Sequence, residues 1–236
     1  MGAKAKADLL ALAADLAKTD GFDRLSEVFI DSIMAVPVAG PIVAAVARQV
    51  LPRDSLIYLA VFAVEAAQRV EALEQDKLDR DYLKSCEFRE DLEQVMDAQT
   101  LLLQRRKRAY FLAAIRNAAR TDRPEESERR RMLDALVRFR PSHLRLLAVA
   151  VTGEGYSGPS GNTDIYLSGR MPDVPLDMIR LDWRDLQAEG MVNQYPSGMT
   201  MTPPPQLVGG SLTPYGLRFV AFVEAGKGTA GQATEL

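Results

Sequence analysis

Residues 55–85 read SLIYLAVFAVEAAQRVEALEQDKLDRDYLKS, and within them Leu59, Ala63, Ala66, Val70 and Leu73 recur at alternating spacings of four and three. A helix with this coiled-coil-like seam presents one apolar stripe and needs a second helix to cover it. Lys77 and Arg80 fall on the seam and end it. Downstream, residues 87–120 read EFREDLEQVMDAQTLLLQRRKRAYFLAAIRNAAR, with Phe88, Leu92, Val95, Leu102, Ala109 and Ala113 on one stripe, interrupted by Gln99 and Arg106. The spacing predicts two long helices joined near residues 76–86 as an antiparallel hairpin. The fold class expected is therefore mainly α, a helical domain built on this hairpin.

Charge supports the pairing. Residues 53–100 hold 6 basic and 12 acidic side chains, a balance of −6, whereas residues 101–140 hold 12 basic and 5 acidic, a balance of +7. Blocks of opposite sign can lie against each other within one molecule or between two. For the whole chain of 236 residues the formal charge is only −3, so net charge selects no partner class. One cysteine, Cys86, excludes an internal disulfide and a cysteine metal cluster, in keeping with a reducing cytoplasm. The opening MGAKAKADLLALAADLAKTDGF alternates Asp and Lys through its Ala/Leu segment and does not read as a signal peptide.

Upstream of the hairpin, residues 9–16 and 22–35 show amphipathic helical spacing. They lead into IMAVPVAGPIVAAVA, residues 33–47, the longest uncharged apolar run. Fifteen residues broken at Pro37 and Pro41 fall short of the ~20 that span a bilayer. Its apolar side chains, Ile33, Val36, Val38, Ile42, Val43 and Val46, are read first as a core or self-association surface. The alternative is a membrane-disrupting device formed with residues up to 64, which would place the protein at a membrane instead of free in the cytoplasm.

Downstream, the expected division is residues 1–123 for the helical domain, 124–225 for a second domain and 226–236 for a disordered tail. Residues 153–175, rich in Gly, Ser and Pro, are expected as a long loop. DMIRLDWRDLQAEG, residues 177–190, reads as a helix with Met178, Leu181, Leu186 and Trp183 inward, closed by Gly190. Two short extended pieces, MVNQYPSG and PQLVGGSL, precede a last helix with Thr213 at its N-cap and Pro214 at its first position.

The pieces PSHLRLLAVAV, LQAEGMVN and SLTPYGLRFVAFVE resemble a winged-helix module, an α+β fold, with Leu186, Gly190, Met191, Leu212, Thr213 and Gly216 in matching order. With the Pro/Gly-broken apolar stretch, LKSCEFREDLEQVMDAQ, KRAYFLAAIRNAAR and LVRFRPSHLRLL, the chain from about residue 28 to 224 is similar to the abortive-infection alpha family and related bacterial helical proteins. That resemblance implies a role in phage defence or stress response and supplies no catalytic residues.

The chemistry-bearing residues point the same way. His143 is the only histidine, so no His-x-x-x-His or Cys/His metal spacing exists. The reading expects no metal, cofactor or enzymatic activity. Ser142 is expected to help cap the helix opened by Pro141, with His143 on its first turn, and Cys86 to be a small packing residue. Glu87, Glu90 and Asp91 share a helix face read as solvated and acidic. GEGYSGPSG, residues 153–161, lacks the Gly-Lys-Ser/Thr of a phosphate loop and does not join a strand to a helix. Across residues 177–190, Arg180 and Arg184 face Asp177, Asp182, Asp185 and Glu189, which disfavours phosphate contact. Arg105, Arg106, Lys107, Arg108, Arg116 and Arg120 are the better candidates for an anion or nucleic acid, with internal pairing to the acidic block as the competing reading. The expected function is a homo-oligomeric interaction or effector protein with an unidentified protein partner.

Overall fold

The computed structural model describes residues 41, 43–44, 56–99, 101–152, 163–193 and 212–224. The amphipathic segments before residue 33, most of 33–47, both extended wing pieces beyond Asn193 and the tail lie outside them. The chain divides into two compact units, Met1–Leu133 and Asp134–Leu236. The division falls inside a helix, past the expected boundary at 123/124.

The first unit is helical. It contains α1 (Leu56–Glu71), α2 (Arg80–Leu83), α3 (Cys86–Gln99), α4 (Leu102–Arg105), α5 (Arg108–Ala118) and the start of α6 (Glu126–Arg138). The seam of α1 is buried as its spacing requires, with Leu59, Ala63, Ala66 and Val70 fully covered and Leu73 nearly so. Its main partner is α5, and alanines on both helices, Ala63, Ala66, Ala114 and Ala118, allow close approach around Phe62, Phe111 and Ile115.

The second arm of the expected hairpin is not one long helix. It breaks near Leu101, whose backbone is extended, and again at Arg106–Lys107. The breaks fall beside the polar interruptions of the stripe. Gln99 is fully buried and its Nε2 donates to the carbonyl of Gln104 at 3.2 Å, supplying a partner that a continuous helix would not need. Each break also rephases the helix. Ala109, expected inward, is exposed, and Lys107 instead of Arg106 turns into the core. Cys86 is likewise exposed at the start of α3 instead of packed.

The turn between α1 and α2 is tied to the end of α5 by an antiparallel bridge, Leu78 with Arg120. Asp79 caps α2 by accepting from the amides of Tyr82 at 2.9 Å and Asp81 at 3.1 Å. Those amides, first that of Tyr82, and the guanidinium of Arg123 hold its carboxyl below the ordinary value. Beside it lies a buried network. Asp91 accepts the Tyr82 hydroxyl proton at 2.5 Å and the Nε–H of Arg129, and Glu87 approaches the same guanidinium at 3.5 Å. Arg123 and Arg129 also lie over the Tyr82 ring, at 4.1 and 4.8 Å from its centroid. The acidic face expected to be solvated thus has one fully buried member, Asp91, brought inside by a cation and a hydroxyl.

The second unit holds the rest of α6, then α7 (Pro141–Thr152), α8 (Thr163–Arg170), α9 (Leu176–Ala188) and α10 (Pro214–Val223). Part of the stretch expected as a loop is therefore α8, anchored inward by Leu167 and, one turn on, by Met171. Helix α7 packs on α8, α9 and α10, and α8 meets α9 across the turn Met171–Pro175. Helix α9 ends in a Schellman motif. Gly190 has φ 72°, its amide donates to the carbonyl of Gln187, and the next amide, Met191, donates to Leu186.

Val192 and Leu212 then form an antiparallel bridge. Thr213 caps α10 by accepting from the Gly216 amide at 2.9 Å, while its hydroxyl donates to the carbonyl of Gly190 at 2.6 Å. Gly216 is required for space, because a Cβ there would lie 2.0 Å from the Met191 carbonyl oxygen. Among the described residues extended pairing is confined to these two bridges, and no described helix is long and apolar enough to cross a membrane.

Two expectations follow. Gly216→Ala destabilises the second unit by about 3 kcal/mol, because backbone must move to admit the methyl group, and chemical denaturation measures it. Lys107 is fully buried, and burial pushes its amine down to about 8. Between about pH 8 and the ordinary lysine value near 10.4, unfolding takes up a proton, so stability rises with pH across that window, by up to about 3 kcal/mol. Denaturation at pH 8, 9 and 10 shows the rise, and Lys107→Met removes it.

Candidate functional site

The polar cluster with the most chemistry in the second unit is assembled at the start of α7. Pro141 occupies the first helical position, where its missing amide costs nothing. Arg140 is the preceding cap residue, and its N–H donates to Nδ1 of His143 at 3.1 Å. This is the geometry of a capping box, with an imidazole where Glu or Gln usually reaches back. Ring stacking fixes the imidazole further, since Phe139 lies parallel to it at 5.1 Å and meets Phe219 edge-on at 5.7 Å.

Helix α9 supplies the acids. Its inward face is Ile179, Asp182, Trp183 and Leu186, positions i, i+3, i+4 and i+7, while Leu181, expected inward, is 45% exposed. Asp182 is fully buried and accepts from the guanidinium of Arg140. Asp185 stands one turn further on. His143 Nε2 lies 3.2 Å from Asp185 Oδ2 and 3.5 Å from Asp182 Oδ1, and Arg140 approaches Asp185 at 3.7 Å. The second carboxylate oxygen of Asp182 is buried without a hydrogen-bond partner among the described residues. Arg145, on the next turn of α7, forms a forked pair with Asp173 at 2.5 and 2.7 Å, and this pairing holds the exposed Asp173 carboxyl at about 2.

His143, Asp182 and Asp185 could be a metal triad by composition, since their ligand atoms lie within 4.8 Å of one another. The hydrogen bonds argue otherwise. With Nδ1 accepting an amide proton, the ring's own proton sits on Nε2 and points at the carboxylates. A metal at Nε2 would require the other tautomer, which sets two N–H groups against each other, and would sit beside the Arg140 guanidinium. The same count leaves neither ring nitrogen facing an open position in this arrangement. In a catalytic Asp–His pair one nitrogen faces the acid and the other the reacting group. Here both nitrogens are occupied by the protein itself.

The six sequence-predicted anion contacts do not converge. Lys107 is buried with its ammonium 5.3 Å from the Phe111 ring centroid. Arg108 pairs with Glu65 of α1 at 2.8 Å, and Arg120 forks onto Asp122 with both contacts at 2.7 Å. Arg105 is half-buried, Arg106 is exposed and Arg116 is half-buried on α5. Beyond them, Arg123 pairs with Asp79, Arg129 with Asp91, and Arg130 with Glu90 and Glu126. The opposite charge blocks meet within one chain. Of the apolar candidates, Val43 is helical and fully buried, whereas Ile33, Val36, Val38, Ile42 and Val46 lie outside the described residues.

Sequence reasoning placed His143 on the first turn of a helix but missed its partners. The available signal was the four-residue set Ile179, Asp182, Trp183 and Leu186, which competes with a Leu181-inward helix and puts an acid in the core. Comparison of the chain with protein-family models, with curated proteins and with solved structures gives no match.

Arg140→Ala leaves Asp182 buried and without its cation, so it destabilises the second unit by about 1–3 kcal/mol, the cost of an unsatisfied buried acceptor whose lost partner was partly solvated. Adding Asp182→Asn recovers much of that loss, and a double-mutant cycle in urea measures the coupling.

Proposed function

We propose that this chain is a non-enzymatic interaction protein that associates with itself and, as its resemblance to the abortive-infection alpha family implies, has a role in phage defence. Its C-terminal unit acts as a winged-helix-like module turned to protein contacts instead of DNA. The observation that carries the reading is the state of His143. The sole histidine has both ring nitrogens held inside the fold, by the Arg140 amide and by the α9 carboxylates, so the best-placed acid–base group is a capping element.

Three features support a winged-helix-like module. Helices α8 and α9 form a helix–turn–helix, the Val192–Leu212 bridge stands where a wing would begin and end, and Gly190, Thr213 and Gly216 each have a steric or hydrogen-bonding reason to be what they are. The exposed charges of α9, Asp177, Arg180, Arg184 and Asp185, sum to zero around an exposed Leu181. That face offers duplex phosphates no net attraction.

Phage plating on a bacterial host expressing the chain tests the reading. A protective chain keeps its protection in His143→Gln, because Gln at that position still accepts the cap amide. Loss of protection by a His143→Gln variant with wild-type thermal stability would mean that the imidazole does chemistry, and would overturn the non-enzymatic reading. Duplex DNA anisotropy at low salt provides the second arm. Wild type is expected to match Arg106→Glu with Arg116→Glu, whereas tight, salt-dependent wild-type binding lost in that variant would move the function to nucleic acid.

A further inference from the structure

Along the solvent side of α9, Asp177, Leu181, Arg184 and Ala188 follow one another at spacings of four, three and four, and all four are exposed. This is the stripe that a helix presents to another helix. At its centre is Leu181, one of the few large apolar side chains that the described residues of the second unit leave to solvent. The side chains of Asp177 and Arg184 have no hydrogen bond or ion pair among the described residues, although neighbouring charges of the same unit are paired: Arg140 with Asp182, Arg145 with Asp173, and Arg138 with Glu189 at 2.7 Å.

The unpaired acid and base lie seven residues apart on one face, about 10 Å along the axis at 1.5 Å per residue. A helix marked in this way is complementary to its own antiparallel copy. A two-fold axis passing between residues 180 and 181 sets each Asp177 opposite Arg184 of the other molecule, twice over, and brings the two Leu181 side chains together at the axis. A parallel copy in register would instead oppose Asp177 to Asp177 and Arg184 to Arg184. We propose that the outer face of α9 is the contact helix of a symmetric antiparallel dimer, its occupant a second copy of this chain. The inference rests on the self-association reading above and names the surface that carries it.

Sedimentation velocity of the full chain, over a concentration series from low micromolar upward, tests the pairing. Asp177→Arg puts two cations together at both contacts, and Arg184→Asp puts two anions together, so each variant alone is expected to dimerise about tenfold more weakly or worse. Mixed in equal amounts, the two variants are complementary, and the mixture is expected to form a heterodimer of wild-type strength, a result that also shows both variants folded. Raising the salt should weaken wild-type association, because the two ion pairs are exposed. A wild-type dimer indifferent to both substitutions overturns the α9 contact while leaving self-association standing. A wild type that stays monomeric throughout overturns both.

Discussion

A carboxylate taken out of water must bring a cation and hydrogen bonds with it, or folding costs several kcal/mol more. Among the described residues each unit of this protein contains one such group, and much of the surrounding order follows from it. In the first unit Asp91 is compensated by Arg129 and the Tyr82 hydroxyl, and the same two residues fix where α6 begins relative to α3 and the short α2. In the second unit Asp182 is compensated by Arg140, which ties α9 to the entrance of α7. Apolar seams bring helices together in many rotational settings of similar energy, whereas a buried ion pair tolerates few. These two pairs give register more than net stability.

The helices with long, strongly periodic seams were legible in the sequence. The α1 stripe from Leu59 to Leu73 is buried as read, and Thr213 and Pro214 open α10 as their residue types require. What escaped was wherever a polar residue entered the core. Gln99 and Lys107 are buried, and the helix breaks beside each, so a stripe drawn straight through Leu102 and Ala109 loses its phase. In α9 the preference for apolar side chains inside chose Leu181 over Asp182, because the compensating Arg140 stands 42 residues away and no local pattern announces it. Short α8 carries too few apolar positions to separate it from the Gly/Ser-rich chain before it. Of the candidate site, His143 and its helix were legible, whereas the acids that complete its surroundings were visible only as charges counted against DNA binding.

The basic run from Arg105 onward illustrates why charge patches in a sequence are ambiguous. An anion-binding surface needs several cations pointing one way with their charges unpaired. Here two helix breaks rotate successive residues to different sides, and acidic partners from residues 65–91 neutralise Arg108, Arg123, Arg129 and Arg130. The segment acts as the inner counter-charge of its own unit, and each exposed pair contributes no more than about 1 kcal/mol.

The junction at Met191 and Thr213 has a bearing on how the gene could be modified. Between Gly190 and Gly216 the chain leaves and returns through one fixed gate, made by the Val192–Leu212 bridge, the Thr213 amide on the Met191 carbonyl at 3.0 Å and the Thr213 hydroxyl on Gly190. Its parts sit within a few residues of one another on each side, so any inserted or deleted residue between Gly190 and Val192, or between Leu212 and Gly216, shifts the partners of the gate out of register. An epitope tag, a fluorophore site or a reporter peptide added to this unit has to leave those two short stretches untouched, because the gate is the boundary that such a graft must respect.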